Sequence, residues 1–413
     1  MNHFQYIDEE LFCEDVPVVD IAEDMGTPVY IYSSRTLNHH AQVYEKAFEQ
    51  MDHLSCYAIK ANSNLSVIGI FAKQGMGADV VSGGEIFRAL KAGVPAEKIV
   101  FAGVGKTQAE IEYALNKGIL MFNCESSAEL ALLDQVAKGT GKLAPVALRV
   151  NPDIDAATHP YISTGLEKNK FGMGMDQAFR EYIKARDMAG VEIVGMHTHI
   201  GSQITDLSPF RDTLERLHLL VKRLNAEGIR IQYLDIGGGL GIRYKEEEPP
   251  SPSEWAQTLL PIANSLDCRI ISEPGRVLVG NAGILVTRVL YFKSGSVKRF
   301  AIVDAGMNDL IRPSLYQSYH DILPVQKRKG EMDIIDVVGP ICESGDFLAK
   351  DRPMTVPRPN ELLAVMSAGA YGFTMSSNYN SRPRAAEVMV EGSEFWVIRE
   401  RETFEDLIRG ESL

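Results

Sequence analysis

The sequence predicts a (β/α)8 TIM barrel followed by an antiparallel C-terminal β-domain, which the N-terminal segment is expected to join. Three observations carry this. Short β-branched runs alternate with amphipathic helical stretches over the first two thirds of the chain. Eight such runs fit between Ser55 and Gly275, a span near the usual barrel length. After Gly275 strand-like runs follow one another with turn residues between them and almost no helical pattern. A chain of 413 residues accommodates two domains. The expected division is a barrel over 28–275 and a β-domain from 1–27 and 276–413.

In order, the barrel strands are read at 55–60 (SCYAIK), 78–81, 99–103, 120–124, 147–151, 193–200, 233–237 and 269–273. The stretches 85–92, 108–116 and 209–225 place apolar residues at helical spacing, and Gly93, Gly118, Gly190 and Gly228 stand where C-caps are expected. A doubly wound sheet would show the same alternation but needs a reversal of strand order. In the second region 277–292, 299–303, 333–338, 362–366, 386–390 and 395–399 read as strands. The run 29–32 (VYIY) is expected to pair with the first barrel strand. Two loops are long. The stretch 152–174 is Gly-rich, follows a barrel strand and is the expected active-site loop; 244–253 (with KEEEPPSPS) is expected to be a solvated excursion.

Lys and Arg number 42 and Asp and Glu 55, a net charge of −13. That balance argues against nucleic acid or an anionic membrane as the main partner and leaves small anionic ligands open. The first residues have no basic stretch followed by an apolar one, and no run of eighteen apolar residues occurs. The five cysteines are widely spaced without CxxC, which fits neither a disulfide framework nor a zinc site. The cytoplasm is the expected compartment.

Barrel chemistry sits at the C-terminal strand ends, which singles out Lys60, Asp79, His199 with Ser202, Gly237, Gly238 and Gly239, and Glu273 with Arg276. Each alone has an ordinary reading: an edge lysine, a structural histidine, a turn, an ion pair. His197 and His199 share a strand face, but no third ligand with metal spacing is found, so no metal is expected. The dinucleotide fingerprint fails because Ile242 holds its final glycine position. As a set the residues are more specific. Burial lowers an amine's pKa and suits it to attack a carbonyl. Three glycines let backbone N–H groups approach an anion. An imidazole can stack on a flat ring, and a carboxylate can keep a heteroaromatic nitrogen protonated. Those are the parts that bind pyridoxal phosphate.

On these and further motifs the chain resembles the diaminopimelate decarboxylases, of the alanine-racemase-like fold group that includes ornithine and arginine decarboxylases. The motifs are YAIKAN (57–62), GADVVSGGE (77–85), HTHIGSQ (197–203), DIGGGLG (235–241), EPGR (273–276), RPSLY (312–316), GPICESGD (339–346) and GAYG (369–372). The resemblance spans essentially the whole chain. It implies that Lys60 holds the cofactor covalently, Asp79 supports that lysine, and His199 stacks on the pyridine ring. Ser202, the backbone of Gly237–Gly239, Tyr371 and the loop containing Gly275 and Arg276 would hold the phosphate. Glu273 would pair with the ring nitrogen. Arg276, Arg312 and Tyr316 would bind a substrate carboxylate, with Tyr371 beside them. Cys342 and Glu343 would come from the other subunit of a homodimer with shared sites. There Cys342 would return a proton to Cα and Glu343 would meet the substrate's distal ammonium. The implied reaction is decarboxylation of meso-2,6-diaminopimelate at its D-centre to L-lysine. The rival readings are a sister decarboxylase acting on ornithine, arginine or carboxynorspermidine, a racemase, and a non-catalytic regulatory homologue. Arg312 and Tyr316 beside a Cys-Glu pair favour the first reading, because diamine-forming relatives have no distal carboxylate to bind.

Overall fold

The computed structural model describes residues 2–155 and 169–413. The middle of the expected active-site loop, 156–168, lies outside the described residues. Two compact units emerge: 40–242 with 248–277, and 1–39 with 243–247 and 278–413.

The first unit is a closed parallel barrel. Its strands are β1 (His53–Ala58), β2 (Gly77–Val80), β3 (Ile99–Phe101), β4 (Met121–Cys124), β5 (Ala144–Asn151), β6 (Val191–His197), β7 (Tyr233–Asp235) and β8 (Arg269–Ser272). Each pairs with the next, and β8 closes on β1 with Ser272 opposite Ser55. The doubly wound alternative is thereby excluded. β2, β3 and β4 are buried at every residue, which is why they read as continuous apolar runs rather than alternating ones. Helix starts are fixed by hydroxyl caps. Ser82, Thr107, Ser126 and Ser251 each accept from the backbone N–H three residues on.

Two local expectations fail. Gly118 caps its helix in the left-handed region as predicted, but Gly190 does not. It follows a helix that already ends at Arg186, and its N–H donates to Asp134 Oδ1. An added Cβ at Gly190 would sit 2.3 Å from the Asp134 carbonyl, so close packing explains this glycine. The eighth strand is followed only by a four-residue helix, Arg276–Val279. The missing cover comes from ahead of β1: Tyr44 and Phe48 pack on Trp255, and the Tyr44 hydroxyl meets Ser272 Oγ at 3.1 Å.

The second unit is built on a mixed sheet. In spatial order it runs Phe347–Thr355, Met332–Val338, Arg299–Val303, Gly283–Ser294, Val29–Ser33, Ala386–Glu391 and Glu394–Arg399. Most pairings are antiparallel, but Arg299–Val303 with Met332–Val338 and Val29–Ser33 with Ala386–Glu391 are parallel. Val29–Ser33 thus lies between Gly283–Ser294 and Ala386–Glu391 and is not a barrel partner. All five of its residues are buried, a pattern that only a central strand satisfies. The expected strand 277–292 starts later, since 276–282 is helical, and Phe347–Thr355 was missed because its charged residues and Pro353 mask it. No described helix is long and apolar enough to cross a membrane.

Asp309 of this unit is buried, accepts from the Gly306 N–H at 2.9 Å and is pushed by burial from 3.8 up to about 7. A raised acid binds its proton more tightly folded than unfolded. Its contribution is complete below about pH 4 and is lost as pH rises through about 7. Asp309→Asn keeps an acceptor and stays neutral. Its melting temperature relative to the parent should rise between pH 5 and 8, and a difference independent of pH in thermal unfolding would refute this.

Candidate active site

The strand ends of the barrel collect the predicted residues. Lys60 sits in the 3-10 turn Ile59–Ala61 immediately after β1. Its Nζ lies 2.6 Å from Oδ2 of Asp79, which is wholly buried in β2. His199 follows β6. Its Nδ1 accepts from the Gly238 N–H at 3.1 Å, so the ring's hydrogen is on Nε2. Burial, with the Arg149 and Lys60 cations nearby, lowers it to about 3, so the imidazole is neutral.

Glu273, directly after β8, is buried with Oε1 3.5 Å from His197 Nε2 and 3.4 Å from Asn123 Nδ2. Burial opposes its charge, but the neighbouring His197 and Lys60 outweigh it and hold the carboxyl below the ordinary carboxylate range. Asp235, bridged to the same Asn123 amide at 3.0 Å, is driven well above that range by burial and then by Glu273. Asn123 thus donates to two buried carboxyls whose hold on a proton is pushed in opposite directions.

The glycine run after β7 fits a close main-chain approach. A Cβ on Gly238 would lie 2.1 Å from the Glu273 carbonyl oxygen, and one on Gly239 2.4 Å from that of Gly201. The Gly237 N–H is taken by Asp235 Oδ1 and that of Gly238 by His199, leaving Gly239 without an acceptor among the described residues. Arg276 Nη2 donates to Ser202 Oγ at 2.9 Å, which joins the ends of two loops. Gly275 packs between Ala58 and Ala61, where a Cβ would stand 3.1 and 3.2 Å from theirs.

The β-domain carries the remaining residues. Arg312 and Tyr316 begin and end the short helix Arg312–Tyr316, and Ser314 Oγ donates to the Gly345 carbonyl. That contact ties the helix to the loop of Cys342 and Glu343. Both are exposed. The Cys342 N–H donates to Asn380 Oδ1 at 2.9 Å, and the Tyr379 hydroxyl to Glu343 Oε2 at 2.8 Å. Tyr371 adopts φ 56°, a strained value of the kind that clusters at functional sites.

Sequence reasoning missed the supports. Arg149 Nη1 pairs with Glu125 Oε1 at 2.7 Å and its Nη2 donates to the His199 carbonyl; Glu125 Oε2 also accepts from Gly172 N–H. Lys106 is buried against Glu129 at 2.7 Å. His197, Asp235 and Glu273 lie close enough together to hold an ion. The three end different strands, which only barrel closure brings together, so no spacing along the chain marks them. The available signal was a polar residue, such as Asn123, inside an apolar strand.

A barrel whose rim carries an amine–carboxylate pair, a glycine cradle and a buried anionic carboxylate defines a cofactor-dependent class. Consistently, residues 34–280 match the model of the pyridoxal-dependent decarboxylases, pyridoxal binding domain. A diaminopimelate decarboxylase of Pseudomonas aeruginosa is 51% identical over 413 residues, covering 100% of this chain and 99% of that one. One from Vibrio cholerae is 50% identical over 415 residues with the same coverage. The crystal structure of diaminopimelate decarboxylase from Helicobacter pylori complexed with L-lysine superposes with a TM-score of 0.92 at 45% identity, over 95% of this chain and 98% of that one. The chain belongs to the diaminopimelate decarboxylase family.

Proposed function

We propose that this protein decarboxylates meso-2,6-diaminopimelate at its D-centre, giving L-lysine and CO2, with pyridoxal 5'-phosphate as cofactor. The observation that carries the chemistry is the Lys60–Asp79 pair at 2.6 Å on the same barrel rim as the ionised Glu273. Identity near 50% over the full length carries the substrate. When bound, the cofactor supplies a sink for the electron pair left by the departing carboxylate.

The chain's own residues do the rest. Lys60 would hold the cofactor by its amine, with Asp79 fixing the amine's direction. Glu273, held below the ordinary carboxylate range by His197 and Lys60, would keep a proton at the cofactor's ring nitrogen. His199, neutral, would add no second cation there. Ser202, Gly237, Gly238, Gly239, Gly275, Arg276 and Tyr371 form the phosphate end. Arg276, Arg312, Tyr316 and Tyr371 receive the distal carboxylate, and Glu343 the distal ammonium. Cys342 returns a proton to Cα. Cys342 and Glu343 act in a homodimer, each reaching the other subunit's site; their exposure in the single chain supports this. We also place the protein in the cytoplasm and the domain border close to 28 and 275, with the β-domain carrying the substrate and interface residues.

The test is CO2 release by protein loaded with pyridoxal phosphate, offered meso-diaminopimelate, its LL isomer, ornithine, arginine and lysine in turn. Release from the meso isomer alone, with lysine formed, is expected. Release from ornithine or arginine instead would overturn the reading of Arg312, Tyr316 and Glu343.

A further inference from the structure

Three neutral groups contact Arg312 in the β-domain. Its Nη1 lies 2.9 Å from His320 Nε2, its Nη2 3.4 Å from Ser318 Oγ, and its guanidinium carbon 4.7 Å from the centre of the Tyr244 ring. Tyr244 belongs to the segment expected to be a solvated excursion, yet its ring meets that of His320 edge-on at 5.3 Å. His320 is completely buried, and its Nδ1 faces the Met366 carbonyl at 2.8 Å.

These two partners determine the ring's hydrogen. A carbonyl only accepts and a guanidinium only donates. His320 must therefore carry its hydrogen on Nδ1 and present a lone pair at Nε2. The imidazole is neutral in this arrangement. A carboxylate in the same place would also direct the guanidinium, but it would neutralise the charge that a substrate carboxylate needs. A buried neutral acceptor directs the fork without competing for it. The main chain of His320 is held as well: Arg352 Nη1 donates to the His320 carbonyl at 2.9 Å, and that guanidinium stacks on Tyr319.

We propose that His320 is a positioning residue that sets specificity, a neutral Nε2 acceptor aiming Arg312 at the distal carboxylate of the substrate. The inference rests on the reading of Arg312 as a carboxylate binder. It explains why a histidine, and not an acid, is buried behind that arginine, and it gives the Tyr244 segment a place in substrate discrimination.

The experiment measures KM and kcat for meso-diaminopimelate in His320→Phe, His320→Asn, His320→Gln and Arg312→Lys, with cofactor absorbance as the control for folding. Phenylalanine keeps the ring and loses the acceptor. It should raise KM about tenfold, the loss of one hydrogen bond to a charged group, with kcat and cofactor absorbance nearly unchanged. Glutamine, which can accept from Arg312 and donate to the Met366 carbonyl, should recover most of the loss. Combining His320→Phe with Arg312→Lys should raise KM no further than the lysine change alone, since the two act through one contact. An unchanged KM in His320→Phe, with Arg312→Lys raising it, overturns the inference and leaves the reading of Arg312 intact. An unchanged KM in Arg312→Lys overturns that reading. Should the phenylalanine variant fail to take up cofactor, His320→Asn, too short to bridge both partners, is judged by the same criteria.

Discussion

Lys60→Ala should lose the visible absorbance of lysine-bound cofactor and at least about 10³-fold in turnover, since its amine is the nucleophile that holds the cofactor and releases the product. The size follows from the surroundings. Lys60 lies beside the wholly buried Asp79, and removing its ammonium leaves that carboxyl with Glu273 as its charged neighbour. Asp79, already raised by burial and by Glu273, should then take up a proton. Added amines should restore little, because that proton removes the acceptor that directed Nζ. Absorbance that survives in the variant and is fixed by borohydride would mean another lysine holds the cofactor. The buried Lys106, paired with Glu129, would be the first to test.

Gly238→Ala should be nearly as damaging by another route. The new methyl would lie 2.1 Å from the Glu273 carbonyl oxygen and 3.0 Å from its carbon, both main-chain atoms that cannot swing aside. Either the run after β7 or Glu273 must move. Overpacking of this kind costs about 1–3 kcal/mol, here imposed on the residues that hold the cofactor. Cofactor affinity should fall between tenfold and hundredfold. The contact from the Gly238 N–H to His199 should fail with it, letting the imidazole turn. Gly139→Ala is the control: this residue lies in the helix Ser127–Thr140 with open space around it. There alanine should raise stability by up to about 1 kcal/mol and leave cofactor affinity alone. Equal affinity in the two variants, by absorbance titration, would remove the cradle from the argument.

The barrel was readable because each of its eight strands is a short apolar run bounded by a cap or glycine, and all eight were found within a few residues. Burial on both faces erases alternation but leaves the runs. The β-domain was less readable. Its central strand, Val29–Ser33, comes from the wrong end of the chain, and long-range pairing leaves no local mark. Phe347–Thr355 mixes charge and proline because its middle residues Lys350, Asp351 and Pro353 are exposed. For the site, residues at strand ends were legible by position. The partners that set their protonation were not, because Asn123, Asp235 and Glu273 meet only once the barrel closes. His320 was equally invisible, since its importance lies in which of its nitrogens faces an arginine.

The place of Val29–Ser33 has a consequence for how a ribosome must deliver this protein. One of the strand's two neighbours, Ala386–Glu391, emerges about 350 residues after it. At about 5–20 residues per second that is roughly 20 to 70 s of translation. Throughout that interval a five-residue segment rich in aromatic and β-branched side chains, destined for complete burial, has one edge with nothing to pair with. Nascent chains stalled before residue 386 should therefore be the species that chaperones bind and that aggregate, while chains released a few seconds later close the sheet unaided.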